Sequence, residues 1–283
     1  MIFIFIHLSR SSKYKNSFYR LVQVDLIVNT ACWINTWISV RSVSFEIGET
    51  YLLMLETYLP GIFNISVFLV HFFFHMQFCT VAIISIHRVT AILYLFHYDK
   101  YWRRWYLSIT VLFAIYSNLP QLADLSVKMS LVNGKLFVSV NTGMAFGESL
   151  RIFLFSVTYF VLLVVIGITV AKIALKKLQE LQGTNSDRGV SKKLTKIAMT
   201  YSILYFGILF WTVINFIQSS VYPIFSSLVT LRLLNSIASD MFSLSSPYVL
   251  LYFDTNLKAD FLHLKKKSNI ISVMPSESRT APV

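Results

Sequence analysis

The chain has 283 residues, of which 55% are hydrophobic and 13% charged, about half the charged share of a soluble domain. With a mean hydropathy of +0.63 and apolar runs that reach about 20 residues, this excludes a water-soluble domain and indicates a helical integral membrane protein. The net charge of +12 does not indicate nucleic acid, because the cations are confined to junctions between apolar runs, where they face lipid headgroups.

Met1 to Ile6 is apolar but too short and too uncharged at its start for a signal peptide. It reads as the inner end of a helix whose beginning is missing. His7 to Arg20 is a polar junction, and Leu21 to Val40 is the first full span, with Asp25, Asn29 and Asn35 inside it. Arg41 to Thr57 reads as a loop bearing Glu46, Glu49 and Glu56, and Pro60-Gly61 opens the next helix. Gly61 to Ile86 is about 39 Å long at 1.5 Å per residue, longer than a hydrocarbon core of about 30 Å, so the helix tilts or projects. Tyr106 to Ala123 is the next span. In the loop from Asp124 to Arg151, Asn133-Gly134 lies between two β-prone runs, a hairpin signal. Ile152–Val170, Ile197–Ile217 and Leu233–Phe253 complete six spans plus a stub. The expected organisation is a receptor bundle over residues 1–257 and a basic tail over 258–283. Cys32 and Cys79 lie in apolar runs, so no outer disulfide is expected.

Lysine and arginine fall unevenly on the two faces. The junction before Arg20, the segment from Arg88 to Arg104, the segment from Lys172 to Lys196 and the tail hold four, four, seven and five, which is twenty of 25. That bias makes their face cytosolic. Completing the stub gives an all-α bundle of seven transmembrane helices, its first helix largely missing, with an outside N-terminus.

Two local patterns resemble rhodopsin-like G-protein-coupled receptors. His87-Arg88-Val89-Thr90-Ala91-Ile92 through Tyr98 aligns arginine, alanine, isoleucine and tyrosine with the end of their third helix. Ser246-Pro247-Tyr248-Val249-Leu250, followed by Asn256, Lys258 and Phe261, resembles the end of the seventh helix and the short amphipathic helix after it. His87 stands in place of the acid, Val89 and Leu250 in place of tyrosines, Leu95 in place of proline and Ser246 in place of asparagine. The whole chain more closely resembles the nematode serpentine chemoreceptors of class gamma. That resemblance is carried by Asn16-Ser17-Phe18-Tyr19-Arg20-Leu21 with Asp25, Asn35-Thr36-Trp37-Ile38-Ser39-Val40-Arg41, and Phe72-Phe73-Phe74-His75-Met76-Gln77-Phe78. Ser85-Ile86-His87-Arg88, Tyr98-Asp99-Lys100-Tyr101-Trp102 and Lys192-Lys193-Leu194-Thr195-Lys196-Ile197-Ala198 complete it.

The resemblance implies a chemosensory receptor in the plasma membrane, in sensory cilia, with a small-molecule cue outside and a heterotrimeric G protein inside. It implies neither enzymatic activity nor a cofactor. Arg88, Tyr98, Lys192 and Lys193 are then the expected G-protein contacts; the plainer reading of Arg88 is a side chain reaching lipid phosphates. Asp25 is expensive in a membrane and must face inward to a partner, Ser246 or Asn235, as structural glue or as a switch. Asp240 and Pro247 are the other expected switch positions. His71 and His75 share a helix face at metal-ligand spacing, but no third ligand accompanies them. They are expected to line the central cavity or pack there, with Trp211 as a further ligand contact and Tyr205 and Phe206 in the core. The alternatives are a channel or transporter, which the intramembrane acids and histidines allow but no internal repeat or charged ring supports, and a receptor left non-functional by its incomplete first helix.

Overall fold

The computed structural model describes residues 1–42, 46–94, 98–118, 128–132, 135–139, 142–180, 200, 203–207, 209–218 and 228–261. Helix α1 is Ile2–Arg10, and α2 is Ser17–Thr36. The side chain of Asn16 accepts the Tyr19 amide at 3.2 Å and so sets where α2 begins. One π-helical turn, Trp37–Arg41, ends α2. Helices α3 (Glu46–Tyr58), α4 (Ile62–Leu93) and α5 (Tyr98–Asn118) follow. Strands β1 (Lys128–Val132) and β2 (Lys135–Ser139) pair antiparallel with Val132 opposite Lys135, so they flank Asn133-Gly134 as a hairpin. Then come α6 (Thr142–Glu180), α7 (Ile203–Gln218), α8 (Leu228–Phe253) and α9 (Thr255–Phe261).

Several boundaries differ from the sequence reading, among them the start of α5 at Tyr98 and not Tyr106. The stretch read as a loop after Arg41 contains α3. Its Leu52 is fully buried and Leu53 and Leu55 half-buried, while Tyr51, Met54 and Tyr58 are exposed. The glutamates that suggested a loop belong to an amphipathic helix. Helix α6 starts ten residues before Ile152 and runs on into the basic segment, about 58 Å in all at 1.5 Å per residue. Helix α4 runs on to Leu93, so His87 and Arg88 lie within a helix and not at its end. The structure also moves Phe206: Tyr205 is buried, but Phe206, about 100° further round α7, is 57% exposed beside Phe160.

Among the described residues, two segments are long and apolar enough to cross a membrane, Ile62–Ala91 at mean hydropathy 1.9 and Ser149–Val170 at 2.6, with α7 a shorter apolar helix. Helix α2 falls below that hydropathy for a visible reason: its buried side includes Gln23, Asp25, Asn29 and Asn35. A window average counts these residues as if they faced lipid. Outward faces are apolar, as Leu107, Val111, Leu112 and Ile115 of α5 and Val161, Val165 and Ile168 of α6 show. Cys32 and Cys79 are buried free thiols.

Both ends of the bundle are tied. At one end, Gly61 takes the left-handed φ of 87° that favours glycine. It lets the chain reverse from α3 into α4, and the Glu56 carboxylate then accepts the amides of Gly61 at 2.6 Å and Phe63 at 3.3 Å. A carboxylate there also meets the positive end of the α4 dipole. At the other end, α9 folds back onto the N-terminal junction. Asp254 caps α9 through the Leu257 amide at 3.1 Å and accepts the Tyr19 hydroxyl at 2.5 Å. Leu257 is 0% exposed, in a cluster with Ile4, Leu8, Tyr14 and Leu250. Asp260 accepts the Tyr14 hydroxyl and the Lys13 ammonium at 2.9 Å.

The Tyr14 hydrogen bond, then Lys13, hold the Asp260 carboxyl below its ordinary range. A depressed native value stabilises docking above the unfolded carboxylate value of about 3.9, and that contribution is lost as pH falls below it. Amide protection of α9 in hydrogen exchange, corrected for intrinsic rates, is therefore expected to fall below about pH 4. In Asp260→Asn it is expected to be weaker at pH 7 and flat over the same range.

Candidate functional site, a polar axis between α2, α4 and α8

Asp25, Asn29 and Asn35 of α2 recur at spacings that keep them on one helix face. Opposite them, α4 presents Ser66, Gln77 and Thr80, and α8 presents Ser243 and Ser246. All eight are buried. The Thr80 hydroxyl donates to Asp25 Oδ1 at 2.6 Å, and the Ser246 hydroxyl donates to Oδ2. One carboxyl thus joins three helices. Of the two partners considered for Asp25, the structure supplies Ser246; the side chain of Asn235 lies outside the described residues. About one turn away, Gln77 Nε2 donates to Asn29 Oδ1 at 2.7 Å and to the Ser243 hydroxyl at 3.2 Å. Nearer the Gly61 end, Asn35 Nδ2 donates to the Ser66 carbonyl and the Ser66 hydroxyl to Asn35 Oδ1, both at 2.8 Å.

A cavity of about 10 Å³ lies against this axis, lined by Asn29, Gln77, Leu204, Tyr205 and Ser246 among others. That is the scale of one water molecule. Pro247, buried in α8 beside Ser246, leaves the Ser243 carbonyl without its helical donor. The α8 backbone is thus weakest where it meets Asp25.

His75 lies about 8 Å closer to the Gly61 end than Thr80, at 1.5 Å per residue. Its Nδ1 is 2.6 Å from the Tyr159 hydroxyl, which is 3.2 Å from that of Tyr116. Phe155 packs edge-on at 4.8 Å between ring centroids. His71, one turn before, and Trp211 on α7 are half-buried. Asp240 differs from Asp25: it forms an ion pair with Arg41, which is 7% exposed and lies 4.6 Å from the Trp37 ring centroid. The acid expected as a switch position in α8 is therefore half of a salt bridge to the end of α2.

At the opposite end, His87 is buried with Nε2 2.8 Å from the Ser17 hydroxyl, between the rings of Phe18, Tyr98 and Trp102. The Arg88 guanidinium sits 5.3 Å from the Phe18 ring centroid. Asp99 accepts the Ser17 amide at 2.8 Å. The junctions around Ser17, Arg88 and α9 thus converge on one end, as the charge count requires. Lys192 and Lys193 lie outside the described residues.

Residues 1–261 match the family model described as Srg family chemoreceptor. The chain belongs to this family. It is 30% identical over 269 residues to serpentine receptor class gamma-47 of Caenorhabditis elegans, covering 93% of this chain and 85% of that relative. It is 28% identical over 264 residues to serpentine receptor class gamma-53 of the same organism, covering 92% and 85%. The chain is therefore a chemosensory serpentine receptor of the membrane, built as an all-α bundle, and its family is one of receptors and not of enzymes. Sequence reasoning on this Srg chain passed over Gln77, Thr80 and Ser243. Their signal was present: polar side chains in apolar runs, with Gln77 and Thr80 three apart on one helix face.

Interhelical hydrogen bonds in membranes average about 0.6 kcal/mol and reach about 1.7 kcal/mol. Asp25 accepts two, so Asp25→Ala is expected to destabilise by about 1–3 kcal/mol, and Asp25→Asn by less. Because Ser246 shares the same bond, Asp25→Ala and Ser246→Ala together should cost less than their separate effects combined. Thermal midpoints of the detergent-solubilised chain measure all three; full additivity would refute the shared bond.

Proposed function

We propose that this Srg receptor binds an extracellular small molecule between its helices and signals through a heterotrimeric G protein. The observation that carries the reading is the series of buried polar contacts along α2, α4 and α8. It joins Arg41 and Asp240 at one end, through Asp25, to the helix bearing Arg88 at the other. A ligand that prefers one arrangement of α2, α4 and α8 shifts the population toward it. Such a ligand approaches from the Arg41 end, where His71, His75 and Trp211 are the contacts we assign to it. Asp25, Asp240 and Pro247 are the positions at which the bundle rearranges.

Arg88, Tyr98, Lys192 and Lys193 form the surface we assign to the G protein, whose C-terminal helix enters a groove opened between inner helix ends. Supporting this, Arg88 follows the buried His87 on α4 and Tyr98 of α5 packs against the His87 ring, so a shift of α4 against α5 moves one relative to the other. The receptor works in the plasma membrane, in the cilia of sensory cells. An ion path is the competing use of buried acids. Here Asp25 is held by hydroxyl donors and Asp240 by Arg41, an arrangement that fits helix registration better than conduction.

The test expresses the receptor with a G protein in cells lacking endogenous chemoreceptors and challenges them with pooled small molecules. Arg88→Ala is expected to lose the evoked signal with surface expression intact. Evoked currents that survive both G-protein blockade and Arg88→Ala would establish a channel instead.

A further inference from the structure

A larger cavity, of about 460 Å³, lies away from the polar axis, where the end of α4 meets the start of α5. That volume is within the range of sites for a single small molecule. Tyr98, Tyr101, Trp102, Trp105 and Ile109 of α5 form one wall, and Thr90 and Tyr94 form the other. The α5 positions follow the 3.6-residue period and make a single stripe. By the same period Lys100, Arg103 and Arg104 fall on the opposite face of the helix. The described lining therefore carries no charged side chain.

Most of the wall's polar capacity is already used. Trp102 Nε1–H donates to the Thr90 hydroxyl at 2.7 Å, and that hydroxyl donates to the His87 carbonyl at 2.9 Å. These bonds fix the indole and occupy the donors of both side chains. What remains polar in the lining is three phenol hydroxyls, those of Tyr94, Tyr98 and Tyr101. Tyr94, Tyr101 and Trp105 are 62%, 69% and 50% exposed, so the cavity opens outward between them. Past the stripe, α5 exposes Leu107, Val111, Leu112 and Ile115; level with its start, the helix exposes the three cations on its other face. The opening therefore lies at the cytosolic edge of the bilayer, the depth at which tryptophan and tyrosine rings partition.

We propose that this cavity binds one membrane sterol of the cytosolic leaflet, its ring system against Trp102, Trp105 and Ile109 and its hydroxyl among Tyr94, Tyr98 and Tyr101. Size and charge select a sterol over a phospholipid. The cavity has room for one small molecule, and a lipid with two acyl chains and a headgroup exceeds it. An uncharged lining offers a phosphate nothing to pair with in exchange for its lost hydration. A fused ring system also enters the ordered aromatic wall nearly rigid, whereas an acyl chain must give up the freedom of many torsions. A single hydroxyl on an apolar body matches a wall whose remaining polar groups are hydroxyls. The sequence agrees: Val89, Tyr94 and Lys100 have a Val-x4-Tyr-x5-Lys spacing of the kind proposed for cholesterol contact. That pattern alone is common; here its tyrosine lines a cavity of matching size.

The full chain in phosphatidylcholine nanodiscs is irradiated with a photoactivatable cholesterol analogue or, at the same mole fraction, with phosphatidylcholine carrying the same group on an acyl chain. Labelled peptides are identified by mass spectrometry. Labelling of residues 90–109 by the sterol probe is expected to saturate and to be displaced by unlabelled cholesterol, while the phosphatidylcholine probe labels them in proportion to its concentration. Tyr101→Ala with Trp105→Ala, both at exposed positions, removes two rings from the wall and is expected to raise the half-saturating sterol fraction about tenfold. Ile109→Trp, which fills the cavity from the same stripe, is expected to abolish the displaceable labelling. Arg103→Gln with Arg104→Gln, on the other face, is expected to leave the sterol curve where it is. Labelling that does not saturate, that cholesterol does not displace, or that both wall variants leave unchanged would show ordinary bilayer contact only and overturn the proposal. A curve that shifts in the arginine variant instead would overturn it as well, by showing that charge and not ring packing holds the lipid. The measurement uses neither agonist nor G protein, so its failure leaves the signalling reading untouched.

Discussion

A carboxyl group with 0% exposure inside a membrane bundle constrains everything around it. Asp25 has two oxygens to satisfy and no water-filled surroundings to satisfy them, so donors must come from neighbouring helices. Thr80 and Ser246 reach it only when α4 and α8 stand at one rotation and one height against α2. Within lipid, apolar contacts do little to choose among registers, because a leucine gains nothing by leaving acyl chains for another leucine. Polar side chains choose instead. Asn29, Gln77 and Ser243 repeat the same three-helix connection one turn away, and a bundle that slips by one residue breaks both sets together.

The two ends are secured by stronger means. Arg41 and Asp240 join the end of α2 to α8 with opposite charges, and the Trp37 and Trp33 rings cover the guanidinium with centroids at 4.6 and 5.4 Å. At the basic end, Asp254 and Asp260 fasten α9 to the junction before α2, and Asp99 fastens α5 to the first residue of α2. Charged partners hold the ends, and hydroxyl and amide donors hold the middle around a single acid, Asp25.

That division also explains which parts could be read from sequence. Composition and the lysine and arginine count were enough for the membrane class and for the grouping of junctions, because both properties are properties of whole segments. Asp25 was legible because an acid in a span admits few explanations. Gln77 and Thr80 were not, because a glutamine or threonine in a span is common, and only the facing helix turns it into a partner. Helix α3 was hidden by its glutamates, since a scan for charge cannot see that Leu52 among them is fully buried. His87 was the most misleading position. In the sequence it stands in place of an acid beside an arginine at an expected helix end. In the structure α4 continues past it, and the ring is buried against Ser17 and three aromatic side chains. Its role is to dock the start of α2 and α5 onto α4, and the neighbouring acid, Asp99, serves the same joint.

The central cavity then sets a condition on signalling in the proposed receptor. Among the described residues, the cavity against the polar axis holds, at about 10 Å³, nothing larger than water, so a ligand seated there must part the residues that line it. The bonds it breaks first are those of Gln77 and Asn29, followed by those of Asp25. Each is worth about 0.6 kcal/mol and at most about 1.7 kcal/mol, so opening the axis costs a few kcal/mol. Moving an equilibrium from one part in a hundred to ninety-nine takes about 5.5 kcal/mol of differential binding. A small apolar cue burying most of its surface supplies energy of that order. With ionic bonds at mid-membrane in place of these hydroxyls, the opening cost would exceed what such a ligand delivers. In the receptor proposed above, the weakness of the Asp25 axis is therefore what lets a small molecule move the bundle.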